Sequence, residues 1–490
     1  MFNTKKDKNE LKYTVDQALY QIGYGPFQQN MAMLSCAGIG LGSYQIVTFI
    51  INLKDINNKI ASVNENYIWV NPIIGLFIAQ ICGGLYWTYI GNKYGRKRAS
   101  IYSVLLNLFN HIAFFFLPIS TLWINIYALV LGFSIGTNIS TDIQMFNDFT
   151  LFQKIKSSHL MCILYWKLIS IMASFLISLF VISTMGLKLG NIISTVLTLT
   201  LLLCRTRWQQ ESPRYLVKEH RIYSAADTLY LLAEKNKTEL PMGTLDMYSK
   251  ETAINKYEAN PLECFKPSEL KGNFIFIAMS YSFSYTMFTI LNNMGNLAEQ
   301  FENTFSLSLL TVFFIITVIT VVTIFSISPS TILPYNKNIM ITTSFLMTSM
   351  ILIFGITENW LIVSGSLILI TVSFFISAIC LLTQAVNNTS SKYKLSILSM
   401  IGYCLVFAGL SSTIINELIK YHLDADFRIH FLYCAFLTGI STFLTLKTRN
   451  YNEITRIISL NDYEEFIPED KVKNYNSSNK RSSYTLKINL

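Results

Sequence analysis

Gly91-Asn92-Lys93-Tyr94-Gly95-Arg96-Lys97-Arg98 is a short basic turn between two apolar runs, near 68–90 and 99–118, each long enough to cross a bilayer. A hydrocarbon core of about 30 Å needs about 20 residues of helix. Lipid supplies no hydrogen-bond partners, so each backbone amide must be satisfied within its own segment, and the runs read as helices. Too few residues separate them for anything but a tight hairpin turn. Further on, Glu211-Ser212-Pro213-Arg214-Tyr215-Leu216 closes the sixth such run. A basic hairpin turn and an exit from a six-helix bundle point to a polytopic carrier rather than a soluble enzyme.

Composition agrees with that reading. Of 490 residues, 52% are hydrophobic and only 14% charged, too little charge to cover a soluble surface. The net charge of +9 is read as membrane orientation, since Lys and Arg gather in loops and tails, and no nucleic-acid partner is implied. Eight cysteines lie in or beside apolar runs, apart from Cys264, with no paired spacing that would indicate a metal or redox site. No cofactor is expected, and the partner is the lipid bilayer.

Working outward, helices are predicted near 30–52, 68–90, 99–118, 122–146, 158–182 and 186–205. A second set follows near 273–294, 306–327, 338–356, 360–383, 395–419 and 428–447. The fold class is an all-α membrane protein, twelve transmembrane helices in two six-helix bundles arranged as parallel repeats. The domains follow: an amino-terminal segment 1–29, a bundle 30–205, a central loop 206–272, a bundle 273–447, and a polar tail 448–490 read as disordered. Ser212 with Pro213 is an N-cap and first-turn proline, and Ala225, Leu229, Leu232 and Ala233 recur at helical spacing, so the loop is expected to hold short amphipathic helices. Lys93, Arg96, Lys97, Arg98, Lys154, Lys156, Lys337, Lys392 and Lys394 outnumber the basic residues of the opposite loops, which places both termini in the cytoplasm.

These residues resemble the major facilitator superfamily, in its branch of sugar porters, organic-cation carriers and synaptic-vesicle-glycoprotein relatives. The run 92–98 is similar to that family's Asp-Arg-x-Gly-Arg-Arg loop, and 211–216 to its Glu-Ser-Pro-Arg-[Trp/Tyr]-Leu signature. The segment Tyr13 to Gln28 resembles the approach to the first helix in synaptic-vesicle-related members. Asp148-Phe149 resembles a Glu-Phe at the end of the fourth. The resemblance implies a conformational-gating motif carried by Asn92, Lys93, Gly95, Arg96, Lys97, Asp148, Glu211, Arg214 and Lys392. It also implies a monomer working by alternating access in a plasma or vesicle membrane. The chain departs from the pattern at Asn92, where the family has an aspartate, and at Ala385, where it has a glutamate beside the base now read as Lys392.

Ionisable groups at membrane depth point to a transport path, because an unpaired charge there costs about 2.5–3.5 kcal/mol. Lys167 in the fifth helix shares a face with Ser170, Ser174 and Ser178, and Ser134, Asn138 and Asp142 form a stripe on the fourth. A Lys167–Asp142 pair lining the cavity is the hypothesis; the alternative is that Lys167 snorkels or caps a carbonyl. Tyr281, Tyr285, Phe288 and Asn292 share a face of the seventh helix, either a solute-binding face or aromatic packing. Gln45 is a further pore candidate, His111 either a packing histidine or a proton relay. Gly132 and Gly136 form a GxxxG contact. No carboxylate lies centrally in the first or eleventh helix, which favours a neutral or anionic organic solute over a cation. The competing reading is a carrier-shaped protein that no longer transports and acts in vesicle or membrane protein interactions. No Ser-His-Asp set, metal cluster or phosphate loop supports an enzyme.

Overall fold

The computed structural model describes residues 12–61, 71–116, 120–149, 157–178, 187–245, 270–293, 318, 336–357, 360–388, 394–422 and 428–446. The expected eighth helix near 306–327 (Val318 apart), the tail and Lys392 lie outside them. The chain starts with a strand β1 (Lys12–Tyr13) and a helix α1 (Val15–Ile22), which Thr14 and Gln17 open with a reciprocal capping box. Seven helical segments form the first bundle: α2 (Pro26–Ala61), α3 (Pro72–Tyr94), α4 (Arg96–Phe116), α5 (Thr121–Ile135), α6 (Thr141–Asp148), α7 (Ser157–Ile177) and α8 (Leu187–Trp208). The central loop supplies α9 (Pro213–Lys218), α10 (Ile222–Asn236) and β2 (Thr244–Leu245). The second bundle holds α11 (Leu270–Asn292), α12 (Asn336–Ile356), α13 (Trp360–Asn388), α14 (Lys394–His422) and α15 (Arg428–Leu446). Nine stretches among the described residues are long and apolar enough to cross a membrane. With α7 and α8 packed among them, the described chain accounts for every predicted span except the eighth.

Local chemistry sets the boundaries. The Asn71 side chain accepts from the Ile73 amide at 3.0 Å and Pro72 opens α3. Gly95 ends it at φ 109°, a conformation that a side chain would resist. The predicted fourth helix is broken: α5 stops at Ile135, Gly136–Ile139 is a 3₁₀ turn, and α6 resumes at Thr141. At the break the chain runs against the α3 backbone, and a Cβ on Gly136 would strike the Gly84 amide nitrogen. The adjoining Gly132 presses on the Leu76 carbonyl, so the GxxxG face is the α3–α5 contact.

In the first bundle α2 packs on α7, α3 on α5, and α4 on α8. In the second, α11 packs on α14 and α15, and α12 on α13 and α15. Across the seam α3 meets α14, α7 meets α13, and α2 meets α11. Ile46, Phe49, Leu76, Phe77 and Leu131 pack with Phe288, Tyr403 and Val406 of the other half in one apolar cluster. A second cluster unites the loop elements: Leu19, Ile22, Phe27, Met31, Met145, Phe149, Leu229 and Leu232 bind α1 and α10 to the ends of α2 and α6. Strands β1 and β2 pair in parallel, Lys12 with Thr244 and Tyr13 with Leu245.

Candidate functional site

A cavity of about 220 Å³ lies between the two halves, walled by α2, α3, α5, α6, α7 and the turn at 136–139 on one side and by α11, α13 and α14 on the other. Its wall is mainly apolar, with Ile39, Ile46, Ile171, Phe283, Phe288, Phe375 and Leu405 among the lining side chains. The polar lining is sparse: Ser43, Gln80, Asn138, Lys167, Ser280 and Ser284. Lys167 is its one charged side chain, and no acid pairs with it among the described residues. The amide oxygen of Gln80 is buried with no hydrogen-bond partner, an open acceptor in the same wall.

Asp142 is not the partner of Lys167. It takes Arg205 Nη2 at 2.8 Å through Oδ2, and both side chains are almost wholly buried. Arg205 also donates to the Ser100 carbonyl at 3.2 Å. Gly38 makes room for this pair, since a Cβ there would overlap the guanidinium. The correction follows from helix length: the predicted sixth helix ends at 205, whereas α8 continues to Trp208 and carries Arg205 inside the bundle.

The other candidates divide between cavity and framework. Asn138 reaches the cavity. Gln45 does not; it accepts from Asn107 Nδ2 at 2.8 Å and its own amide reaches Thr198 Oγ1 at 3.0 Å and His111 Nε2 at 2.8 Å. His111 Nδ1 lies 2.7 Å from Asn191 Oδ1, so a neutral ring with its proton on Nδ1 satisfies both contacts. Of the α11 face, only Phe288 lines the cavity. Tyr285 points into the second bundle, its hydroxyl 2.6 Å from His430 Nε2. Tyr281 bonds Ser411 at 2.8 Å, and Asn292 donates to Thr413 at 3.1 Å. The cavity takes the adjoining face instead, Ser280, Ser284, Met287 and Leu291, about one residue around the helix.

The halves also touch at both ends of the cavity. On the Gly95 side, Ile143 packs with Leu382 and Leu398, and Gly84 leaves room for the Tyr403 hydroxyl, 2.9 Å from where a Cβ would sit. On the opposite side Asn71 Nδ2 donates to Glu417 Oε1 at 2.8 Å, and Phe77 meets Phe288 edge-on at 5.1 Å.

The motif residues form a charged cluster at the Gly95 turn. Arg96 Nη1 lies 3.0 Å from Asp148 and donates to Ser212 Oγ at 3.1 Å. Glu211 Oε1 accepts the backbone amides of Arg96 at 3.0 Å, Lys97 at 3.3 Å and Ser212 at 3.0 Å. Arg214 bonds Asp16 at 2.7 Å and the Asn147 carbonyl at 3.3 Å. Burial raises the Glu211 pKa above its ordinary value, opposed by these amides and by Arg96; burial likewise raises Asp148, opposed by Arg96 and Arg214. Asn92 accepts from Gln144 at 3.4 Å. Lys93 and Lys97 carry no ion pair among the described residues. Sequence reasoning missed Asp16, Gln80 and Arg205; for Asp16, an acid in the first turn beside a capping box was the available signal.

No family model matches the chain. The synaptic vesicle 2-related proteins of Xenopus laevis and Bos taurus are each 24% identical over 240 residues, 49% of this chain and 42% of theirs. Organic cation/carnitine transporter 7 of Arabidopsis thaliana is 25% identical over 260 residues, 51% of this chain and 49% of its own. The chain therefore spans about half the length of the curated relatives it matches. Among solved structures, the human organic anion transporter MFSD10 superposes with a TM-score of 0.60 at 12% identity, over 86% of this chain and 100% of that one. A partially occluded inward-open xylose transporter XylE from E. coli gives 0.61 at 12%, over 86% and 97%. The chain has the major facilitator fold and, over about half its length, is similar to the synaptic vesicle 2-related and organic cation/carnitine transporter proteins.

Proposed function

We propose that the protein is a membrane carrier moving a small organic anion with an apolar body, acting as a monomer by alternating access with both termini in the cytoplasm. The observation that carries this reading is Lys167, a cation in an apolar cavity at membrane depth with no acid against it among the described residues. Leaving it so costs about 2.5–3.5 kcal/mol; an anionic group on the solute recovers that cost, and the surrounding Ile, Leu and Phe side chains hold the solute's body. Gln80, Asn138, Ser280 and Ser284 orient it. At about 220 Å³ the cavity is smaller than the roughly 300–1,000 Å³ typical of drug-sized sites, which favours a compact solute. Contact between the halves at both ends of the cavity fits a site that opens by rocking one half against the other.

The non-transporting alternative drew on the acids missing at Asn92 and Ala385. Asp148 and Glu211 already hold Arg96, so the turn does not depend on an acid at 92.

The test is uptake into proteoliposomes of labelled aliphatic and aromatic carboxylates, sugars and organic cations. Saturable carboxylate uptake, reduced at least tenfold by Lys167→Met and partly retained by Lys167→Arg, is expected. Uptake of sugars or cations alone, unaffected at Lys167, refutes the anionic assignment; no uptake of any solute by folded protein refutes the carrier itself.

A further inference from the structure

The cavity that holds Lys167 lies between two flanks of the seam. On one flank α7 meets α13, and Lys167 stands one turn from Ile171, which packs against Phe375 and Ile379. On the other flank α3 meets α14, and Gln80 stands one turn from Gly84, which faces the Tyr403 hydroxyl. Ser280 belongs to this second flank, since its hydroxyl donates to the Ile401 carbonyl of α14 at 3.4 Å. Ser284 follows one turn along the same face of α11. Lys167 and Gln80 both line the cavity, and Gln80 is the one α3 residue that does so among those described. The wall between them includes Ile46, Ile139, Phe288 and Leu405, broken by Ser43 and Asn138. A cation therefore stands at one flank, and a neutral amide with two serine hydroxyls at the other. Gln80 is 5% exposed, and its amide oxygen is buried without a hydrogen-bond partner. An unmet buried acceptor is unfavourable. A hydroxyl or N–H on the solute satisfies it, whereas an ether oxygen or a bare ring edge has no proton to give.

We propose that the solute is a compact carboxylate bearing a hydroxyl or N–H at the end remote from its acid, the carboxylate on Lys167 and the donor on the Gln80 amide oxygen. This deepens the anionic reading and rests on it. Lys167 selects for charge and the apolar wall for a ring or short chain; Gln80 sets which anion is taken and which way round it lies. A site built to hydrogen-bond a solute hydroxyl rejects the analogue lacking it far more strongly than an apolar pocket rejects a missing methylene.

The test is uptake by the full-length protein in proteoliposomes of labelled para-hydroxyphenylpropanoate, phenylpropanoate and para-methoxyphenylpropanoate. Wild type is expected to take the hydroxylated acid about tenfold more efficiently than either analogue, the worth of one unmet buried acceptor. Gln80→Met, close in shape but without the acceptor, brings the three to within about twofold of one another. A purely structural role for Gln80 would change all three rates together and leave their ratio as it was. Equal uptake of the three by wild type, still lost in Lys167→Met, overturns this proposal and leaves the anionic reading standing. A hydroxyl preference that survives Gln80→Met overturns the assignment to Gln80. Uptake of none of the three, with sugars or cations carried instead, overturns both readings.

Discussion

Asp142 and Arg205 show what a membrane interior demands of single residues. Each is buried, and they are 2.8 Å apart. Taking either charge out of water is costly, and only the mutual attraction with added hydrogen bonds offsets it. Removing one partner strands the other, so Arg205→Met should destabilise the first bundle by about 3–5 kcal/mol. The Arg205→Met/Asp142→Asn double variant should recover much of that loss. Thermal unfolding of the detergent-solubilised protein measures both, and equal melting of the single and double variants would contradict the pairing. Asp142 was legible in the sequence as a functional-looking acid; its partner was not. A lysine and an arginine both stood within reach on neighbouring helices, and only the true length of α8 decides between them. Lys167, left without Asp142, is the residue whose reading the structure sharpened most.

Among elements, the hairpin of α3 and α4 with its clamp on α9 is the part that was plain from the start. A tight turn needs glycine where φ is positive, and a buried arginine needs acids, so Gly95, Arg96 and Glu211 announce themselves by type and spacing. What was hidden is the rotation of each helix. The α11 tyrosines share a face as predicted, yet that face turns toward α14 and α15, and the serines one position away meet the cavity. Hydropathy cannot fix this rotation when both the cavity wall and the packing wall are apolar. Two predictions belong here. Replacing Gly132 by Val forces α5 away from the Leu76 carbonyl, and overpacking of this kind costs about 1–3 kcal/mol, read as lower thermal stability with α3 and α5 separated. The buried Glu211 carboxyl has a pKa raised above 4.5. A raised folded-state value means the native protein holds that proton more tightly. The associated stability is fully present below the unfolded pKa and is lost as pH rises through the folded one. Acidification from above the raised folded-state value down to the ordinary 4.5 should therefore stabilise wild type relative to Glu211→Gln, in paired melting curves.

At the scale of the whole molecule, two helical halves followed from counting apolar runs, eleven of the twelve lying among the described residues, but the relation between the halves did not, because contacts across the seam join residues more than a hundred positions apart. Those contacts combine a hydrogen bond with an aromatic pair at one end and are aliphatic at the other. Beside the Asn71–Glu417 hydrogen bond, the seam on that side rests on Phe77 against Phe288. Near Gly95 it rests on Ile139 and Ile143 against Gly402 and Leu398. A carrier that works by rocking must break one set while keeping the other, so tying either set shut should stop it. Cysteines placed at Asn71 and Glu417, in a background with the eight native cysteines replaced, should be joined by a short bifunctional thiol reagent. A cleavable reagent would then abolish uptake until the bridge is reduced, while either single cysteine treated in the same way keeps its uptake. Undiminished uptake from quantitatively bridged protein would mean that this end of the seam never opens, and that the two halves do not rock about the cavity that holds Lys167.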